Sequence, residues 1–418
     1  RSHGLDFESL LEITDIIGFD ANSEYLSHRP ATPWYQEDYS FDWQSATMSF
    51  DFFSSIQPDQ VLWDSENHFF TNVTFQERDV NPEYIRAIYW LASTHGLSGA
   101  STWVWSREKD GSYRQGKIGS EYVTDITRQP IGLNELTLTL MDITAHNSDI
   151  HLLQKTEKVV RIFYSETSAI TQNNYMEEIR SVHRKMFFDG LSLGFATERL
   201  INKQTTPWPV IIVKDSQQVT ANELLSLKKY VDSGGTLLVD ANSLTHNEYN
   251  QIHAENLLPS GERVLRFSND NELREKTLAA VKTANKNPII NVIESGIENN
   301  KKVTWRIAKK AENTYLLSLV NTGKSSVIVD LKTVDNQFDI SAKNLLTNNS
   351  VNNNINLSIR GTLFLEVTLA PKVSASNDPN DGNDSSVLPT KSKGGTLYLL
   401  ISLLAGVFTL KQWKRFSK

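Results

Sequence analysis

The chain has 418 residues, 39% of them hydrophobic and 10% aromatic, with a formal net charge of −7; at roughly 150 residues per domain that length predicts two to four globular units. It has no cysteine, which excludes disulfides, thiolate metal sites and cysteine nucleophiles and leaves the compartment open. No basic stripe with interleaved aromatics is present, so no nucleic-acid partner is expected.

The opening residues, Arg1-Ser-His-Gly-Leu5, lack an initiator Met and a charged stretch followed by an apolar one. No signal peptide is legible, and the chain is expected to begin inside a fold. Residues 1–150 alternate strand-like and helix-like stretches. Ile13 to Asp20 reads as a buried strand with a polar end. Ala46 to Ile56 reads as a short helix with Met48, Phe52, Phe53 and Ile56 on one broad face. Val61-Leu-Trp63 is a strand leading into Asp64-Ser-Glu-Asn-His68. Asn81-Pro82 opens a helix that stops at Gly96. Gly99 to Trp105 is the next strand, ending in Ser106-Arg-Glu108. Strand-helix repetition of this kind implies a parallel sheet with helices outside.

Residues 157–290 form a second such block. Its expected strands are Val159 to Tyr164, Leu191 to Thr197, Pro209 to Val213 and Thr236 to Val239. One helix is expected from Tyr175 to Phe187. Thr220-Ala-Asn-Glu223 is a capping box that opens another, ended by Gly234-Gly235. The block has no glycine-rich phosphate loop, so no nucleotide is implied. Residues 291–370 alternate without helices and predict a small β-sandwich. Its strands start at Val303, Tyr315, Val327 and Thr362, and Asn348 to Asn356 reads as a polar turn region.

From Pro371 to Lys393 the composition is that of a disordered linker, rich in Ser, Asn, Asp, Gly and Lys. Residues 394–418 begin with Gly394-Gly395, continue through an apolar run and end in Lys411, Lys414, Arg415 and Lys418. About 15 apolar residues make a helix of about 22 Å, short of the ~30 Å hydrocarbon core. A membrane helix over 396–413 is expected, with the basic end on the cytoplasmic side. The order of parts resembles the Gly-Gly C-terminal sorting tails of Gram-negative bacteria. That resemblance implies an exported, surface-bound or membrane-anchored protein.

Three strand ends in the first block are polar and aromatic: Asp20 with Asn22 and Glu24; Glu66 with Asn67 and His68; and Trp103, Trp105, Arg107 and Glu108. Hydrolysis of a glycosidic bond needs two carboxyl groups flanking it, about 5–5.5 Å apart in a retaining enzyme. In a parallel barrel such groups sit where strands end. The order of these ends resembles the last third of a clan A glycoside hydrolase (β/α)8 barrel. Strand six would end at Gly18-Phe-Asp20, strand seven in Glu66 and strand eight in the Trp103/Trp105 pair.

The domain order resembles family 42, the β-galactosidase-like enzymes. The resemblance implies a fold with the C-terminal part of a (β/α)8 barrel (1–150) and a flavodoxin-like, amidotransferase-like α/β domain (157–290) able to form homotrimers. A β-sandwich (291–370), linker (371–393) and membrane tail (394–418) would follow. It also implies a retaining glycosidase acting on a galactose-containing or related saccharide, with Glu66 as nucleophile.

His68 would bind substrate or hydrogen-bond Glu66. Asp20 would contact a sugar hydroxyl or cap its strand. Trp103 and Trp105, two apart, would face one side of a strand, to stack on sugar or fill the core. Arg107 and Glu108 would close the mouth as a salt bridge, and His95 is read as structural. No cofactor and no metal are expected.

The acid/base Glu of the clan follows an Asn on strand four. The pairs Asn134-Glu135, Asn222-Glu223 and Asn271-Glu272 fall in the wrong places for it. The acid/base group is therefore expected upstream of residue 1, and residues 1–418 alone are expected to be inactive. A second reading is a non-catalytic surface protein for carbohydrate binding or assembly. A third, an amidotransferase at 157–290, lacks the Cys it would need.

Overall fold

A computed structural model describes residues 5–23, 35, 37–70, 80–103, 109–112, 126–296, 300–335, 337–352 and 354–372. All of them belong to one unit, Arg1–Lys372. The tail expected to cross a membrane lies outside the described residues. Among the described residues no helix is long and apolar enough to do so.

The first block runs α1 (Phe7–Glu12), β1 (Ile16–Phe19), α2 (Gln44–Ile56), β2 (Val61–Asn67), α3 (Pro82–His95) and β3 (Leu97–Thr102). The strands form a parallel sheet in the order β1-β2-β3, a TIM-barrel-like part with its helices on one face. Ile17 and Leu62 are buried on that face, whereas Ile16, Val61 and Trp63 on the other are 51%, 44% and 38% exposed.

α3 starts where the Asn81 side chain accepts from the Tyr84 amide with Pro82 in the first turn, and it ends at Gly96 with φ +132°. It is buried on nearly every side. α4 (Pro130–Ala145), α5 (Asn147–Gln154) and the β-domain all pack against it, and Trp90 Nε1 donates to Ser318 Oγ at 2.9 Å. Its few charged groups on the buried sides are paired, Arg86 with Glu135 and Asp142 and His95 with Asp51.

The second block runs β4 (Val160–Phe163), α6 (Glu166–Thr171), α7 (Tyr175–Met186), β5 (Leu193–Ala196), α8 (Glu198–Lys203) and β6 (Val210–Val213). It continues with α9 (Ala221–Asp232), β7 (Thr236–Val239), β8 (Val264–Arg266) and α10 (Asp270–Thr283). Its sheet is parallel, ordered β5-β4-β6-β7-β8. β5 and β6 are buried at every residue, as expected of strands covered on both faces. Thr220 and Glu223 form the capping box of α9.

The third block is β9 (Ile290–Glu294), β10 (Val303–Ala311), β11 (Thr314–Asn321), β12 (Val327–Thr333), β13 (Phe338–Asn344), β14 (Ser350–Val351), β15 (Ile355–Leu357) and β16 (Thr362–Pro371). These make two antiparallel sheets, β10-β11-β16-β13-β14 and β15-β12-β9. A shared core includes Trp305, Leu317, Val329, Leu331 and Leu365.

Several local expectations change. The apolar stretch from Ile13 is divided: Ile13 caps α1 at 82% exposure, and only Ile16–Phe19 is strand. β2 continues through Asn67, so Glu66 lies within the strand. β3 stops at Thr102, so Trp103 follows the strand instead of riding on it. The asparagine-rich region holds β14 and β15, with Asn348 and Asn354 turning the chain at φ +63° and +77°.

The blocks meet at one buried carboxylate. Asp51 of α2 bonds His95 Nδ1 of α3 at 2.8 Å through Oδ1, and His183 Nε2 of α7 at 3.0 Å through Oδ2. Arg306 of β10 stands 3.6 Å away. Phe187 stacks on Trp43 with ring centres 4.1 Å apart and on His95 at 5.5 Å. Burial works to raise the Asp51 carboxyl, but His95, His183 and Arg306 hold it far below the usual range. Burial lowers His95 to about 4, partly offset by Asp51.

Candidate active site

The site forms at the C-terminal ends of β1, β2 and β3. Its local cause is a bulge in β2. Asp64 pairs with Ala100 and Asn67 with Thr102, so β2 spends three residues where β3 spends two. An extra residue bends the strand and breaks the side-chain alternation. Asp64 and Asn67 are both fully buried. Ser65 and Glu66, between them, are both accessible, the Glu66 side chain at 37%.

His68 Nε2 lies 3.3 Å from Glu66 Oε1. The His68 ring is 6.0 Å from that of Trp103, and Ser65 Oγ donates to Asp20 Oδ1 at 3.1 Å. The backbone joins the same ends: His68 N–H donates to Ala21 O at 3.3 Å, and Trp103 N–H to Asn67 O at 2.9 Å. Glu66, His68 and Trp103 therefore form a row, with Asp20 tied in through Ser65. Trp105, Arg107, Glu108 and Glu24 lie outside the described residues.

Beneath this row is a buried polar group that sequence reasoning did not single out. Asp64 Oδ1 accepts from Ala21 N at 2.9 Å and Oδ2 from Asn67 Nδ2 at 2.6 Å. Asn67 Oδ1 accepts from Tyr89 Oη of α3 at 2.7 Å. Burial pushes the Asp64 carboxyl up to about 6 against the pull of these bonds. The available signal was an acid inside an apolar strand, Val61-Leu-Trp-Asp64, where an unpartnered carboxylate is costly.

The set-aside Asn-Glu pairs have structural partners. Glu135 binds Arg86 at 2.5 Å, Glu223 caps α9 and Glu272 pairs with Lys276 within one helix. Of the residues in the row, Glu66 joins solvent access to a neighbouring imidazole, an arrangement suited to attack on an electrophilic carbon.

No family model matches the sequence, and no curated protein does. Solved structures do. The apo exo-carrageenase GH42 from Bacteroides ovatus superposes with a TM-score of 0.80 at 30% identity over 88% of this chain and 50% of that one. The fold is GH42-like. A catalytic mutant of Gan42B, a GH42 β-galactosidase from G. stearothermophilus, gives 0.63 at 12% identity, covering 88% of this chain and 61% of that one. The β-galactosidase from Bacillus circulans sp. alkalophilus gives 0.57 at 12%, covering 87% and 61%. This GH42-like chain thus spans half the length of the exo-carrageenase. The likeness at 12% identity speaks for the GH42-like fold alone.

Proposed function

We propose that this protein is a glycoside hydrolase of the β-galactosidase type that cleaves a galactose-containing or related saccharide by retaining double displacement, with Glu66 as nucleophile. The observation that carries the reading is Glu66 itself. It is an accessible carboxylate turned out by a bulge at the end of a parallel strand, 3.3 Å from His68, in a GH42-like fold. In the first step the Glu66 carboxylate forms a bond to the anomeric carbon as the glycosidic C–O bond breaks and a carboxyl acid protonates the leaving oxygen; water then releases the sugar. His68 orients Glu66. Trp103 offers an indole face to the sugar, Asp20 accepts from a hydroxyl, and Trp105 is assigned to the same subsite.

The test is the full-length protein against aryl glycosides and carrageenan oligosaccharides, the latter because a neighbour is an exo-carrageenase. Glu66→Gln is expected to lower turnover at least ~10³-fold. Activity surviving that change would remove Glu66 from the mechanism. Saccharide binding with no turnover in the unmodified protein would favour the non-catalytic carbohydrate-binding reading.

The proposal extends to assembly and placement: homotrimers through residues 157–290, and attachment to the cell surface through 396–413. Sedimentation of the soluble part and fractionation of cells with and without the tail test these separately.

A further inference from the structure

A bulge is a weak point in a strand. The extra residue breaks the ladder and leaves backbone groups unpaired, so something has to hold its shape. In β2 the two residues flanking the bulge are tied side chain to side chain. Asn67 Nδ2 donates to Asp64 Oδ2 at 2.6 Å, across Ser65 and Glu66. Each end of this tie is fixed to a different element. Asp64 Oδ1 accepts from Ala21 N beyond β1. Asn67 Oδ1 accepts from Tyr89 Oη on α3 and, at 3.4 Å, from Phe69 N. Tyr89 is itself buried.

The direction of every bond is set. Tyr89 and Phe69 donate to the Asn67 carbonyl, which turns the Asn67 amide toward Asp64, whose carboxylate form accepts. Asp64, Asn67 and Tyr89 are all 2% exposed or less, so water does not substitute for any of these bonds at little cost.

We propose that the Asp64–Asn67 hydrogen bond, anchored by Tyr89 and Ala21, is a clasp across the β2 bulge that holds Glu66 in attacking position, so that Asp64, Asn67 and Tyr89 are positioning residues of the hydrolase. The proposal rests on the reading of Glu66 as nucleophile. None of the three touches the accessible side of the strand; they act by fixing where Glu66 and His68 begin. A displacement of about 1 Å at the reacting group costs ~10²-fold in rate.

Two conservative variants test it in the full-length protein. Tyr89→Phe removes one donor and keeps the ring. Asp64→Asn keeps the shape but sets one amide N–H₂ against another, so a bond to Ala21 or to Asn67 must be lost. Hydrogen–deuterium exchange of residues 61–69 and of Ala21 is expected to quicken in both, with exchange in β4–β8 and β9–β16 unchanged. kcat is expected to fall ~10- to 100-fold with KM within ~2-fold, the mark of a group needed in the transition state and not for binding.

Unaltered exchange in both variants overturns the clasp. Faster exchange with wild-type kcat overturns its role in positioning. Loss of activity in Glu66→Gln beside unchanged kcat in Tyr89→Phe leaves the nucleophile standing and removes the clasp. Activity that survives Glu66→Gln removes the nucleophile, and the proposal with it, whatever the exchange shows.

Discussion

Asp64 and Glu66 stand two residues apart on one strand in opposite environments. Asp64 is fully buried, with its carboxyl raised to about 6, while Glu66 meets solvent and His68. The polar run Asp64-Ser-Glu-Asn-His68 announced the end of a strand, and that much was legible. Which acid would be buried was not. The answer depends on the register with β3, where one extra residue reverses the alternation after Asp64, and register between strands is not written in either strand alone. His95 was readable as structural from its place before Gly96, but its partner Asp51, 44 residues earlier, was not.

The contact between His68 and Glu66 yields a prediction at this scale. His68→Phe keeps a ring beside Trp103 and removes the nitrogen 3.3 Å from Glu66. kcat is expected to fall ~10- to 100-fold, as for a misplaced reacting group, with little change in thermal stability because His68 is partly exposed. Steady-state kinetics and a melting curve decide it; a variant with full kcat would make His68 a bystander.

At the scale of elements, punctuation was more reliable than periodicity. Asn81, Pro82 and Gly96 marked the ends of α3, and the capping box at Thr220 marked α9. These signals rest on backbone groups that need a partner or a sign of φ, so tertiary packing seldom overrides them. Alternation alone is an ambiguous signal. Leu136-Thr-Leu-Thr-Leu140 alternates like a strand, yet lies in α4, where Pro130 opens the helix and Arg86 holds Glu135 and Asp142 from one face of it.

Gly96 offers a test of punctuation that also touches the site. Its φ is +132°, and a Cβ there would meet Leu62 Cδ1 at 3.0 Å. Gly96→Ala is expected to cost roughly 1–3 kcal/mol, the scale of a residue held in a disfavoured backbone region, and to disturb β2 through Leu62. Urea unfolding measures the first effect, and a midpoint matching wild type would show that the turn relaxes freely.

The three blocks are fastened through Asp51, and this fastening sets a pH dependence for the whole molecule. His95 is buried and lowered to about 4, against an ordinary value near 6.5. Between those values the unfolded chain binds a proton that the folded one refuses. The contribution of His95 is therefore fully present above pH ~6.5 and is lost as pH falls toward 4. Asp51, held far below the usual carboxylate range, adds loss in the same direction only at stronger acidity. Asp64 opposes both: raised to about 6, it gives stability that is present below ~3.8 and lost as pH rises through 6. A simple acid titration of stability mixes these signs, so a difference is needed. His95→Asn keeps an N–H donor for Asp51 and removes the titrating imidazole. Wild type is expected to exceed this variant most at pH 7 and above, and the gap is expected to narrow by on the order of 3 kcal/mol at pH 4. Urea midpoints for both proteins at pH 7.5, 6, 5 and 4 provide the measurement. A gap that stays constant with pH would mean that His95 titrates alike in the folded and unfolded chain, and that the junction is held by its packing against Phe187 and Trp43 instead of by the neutral imidazole on Asp51.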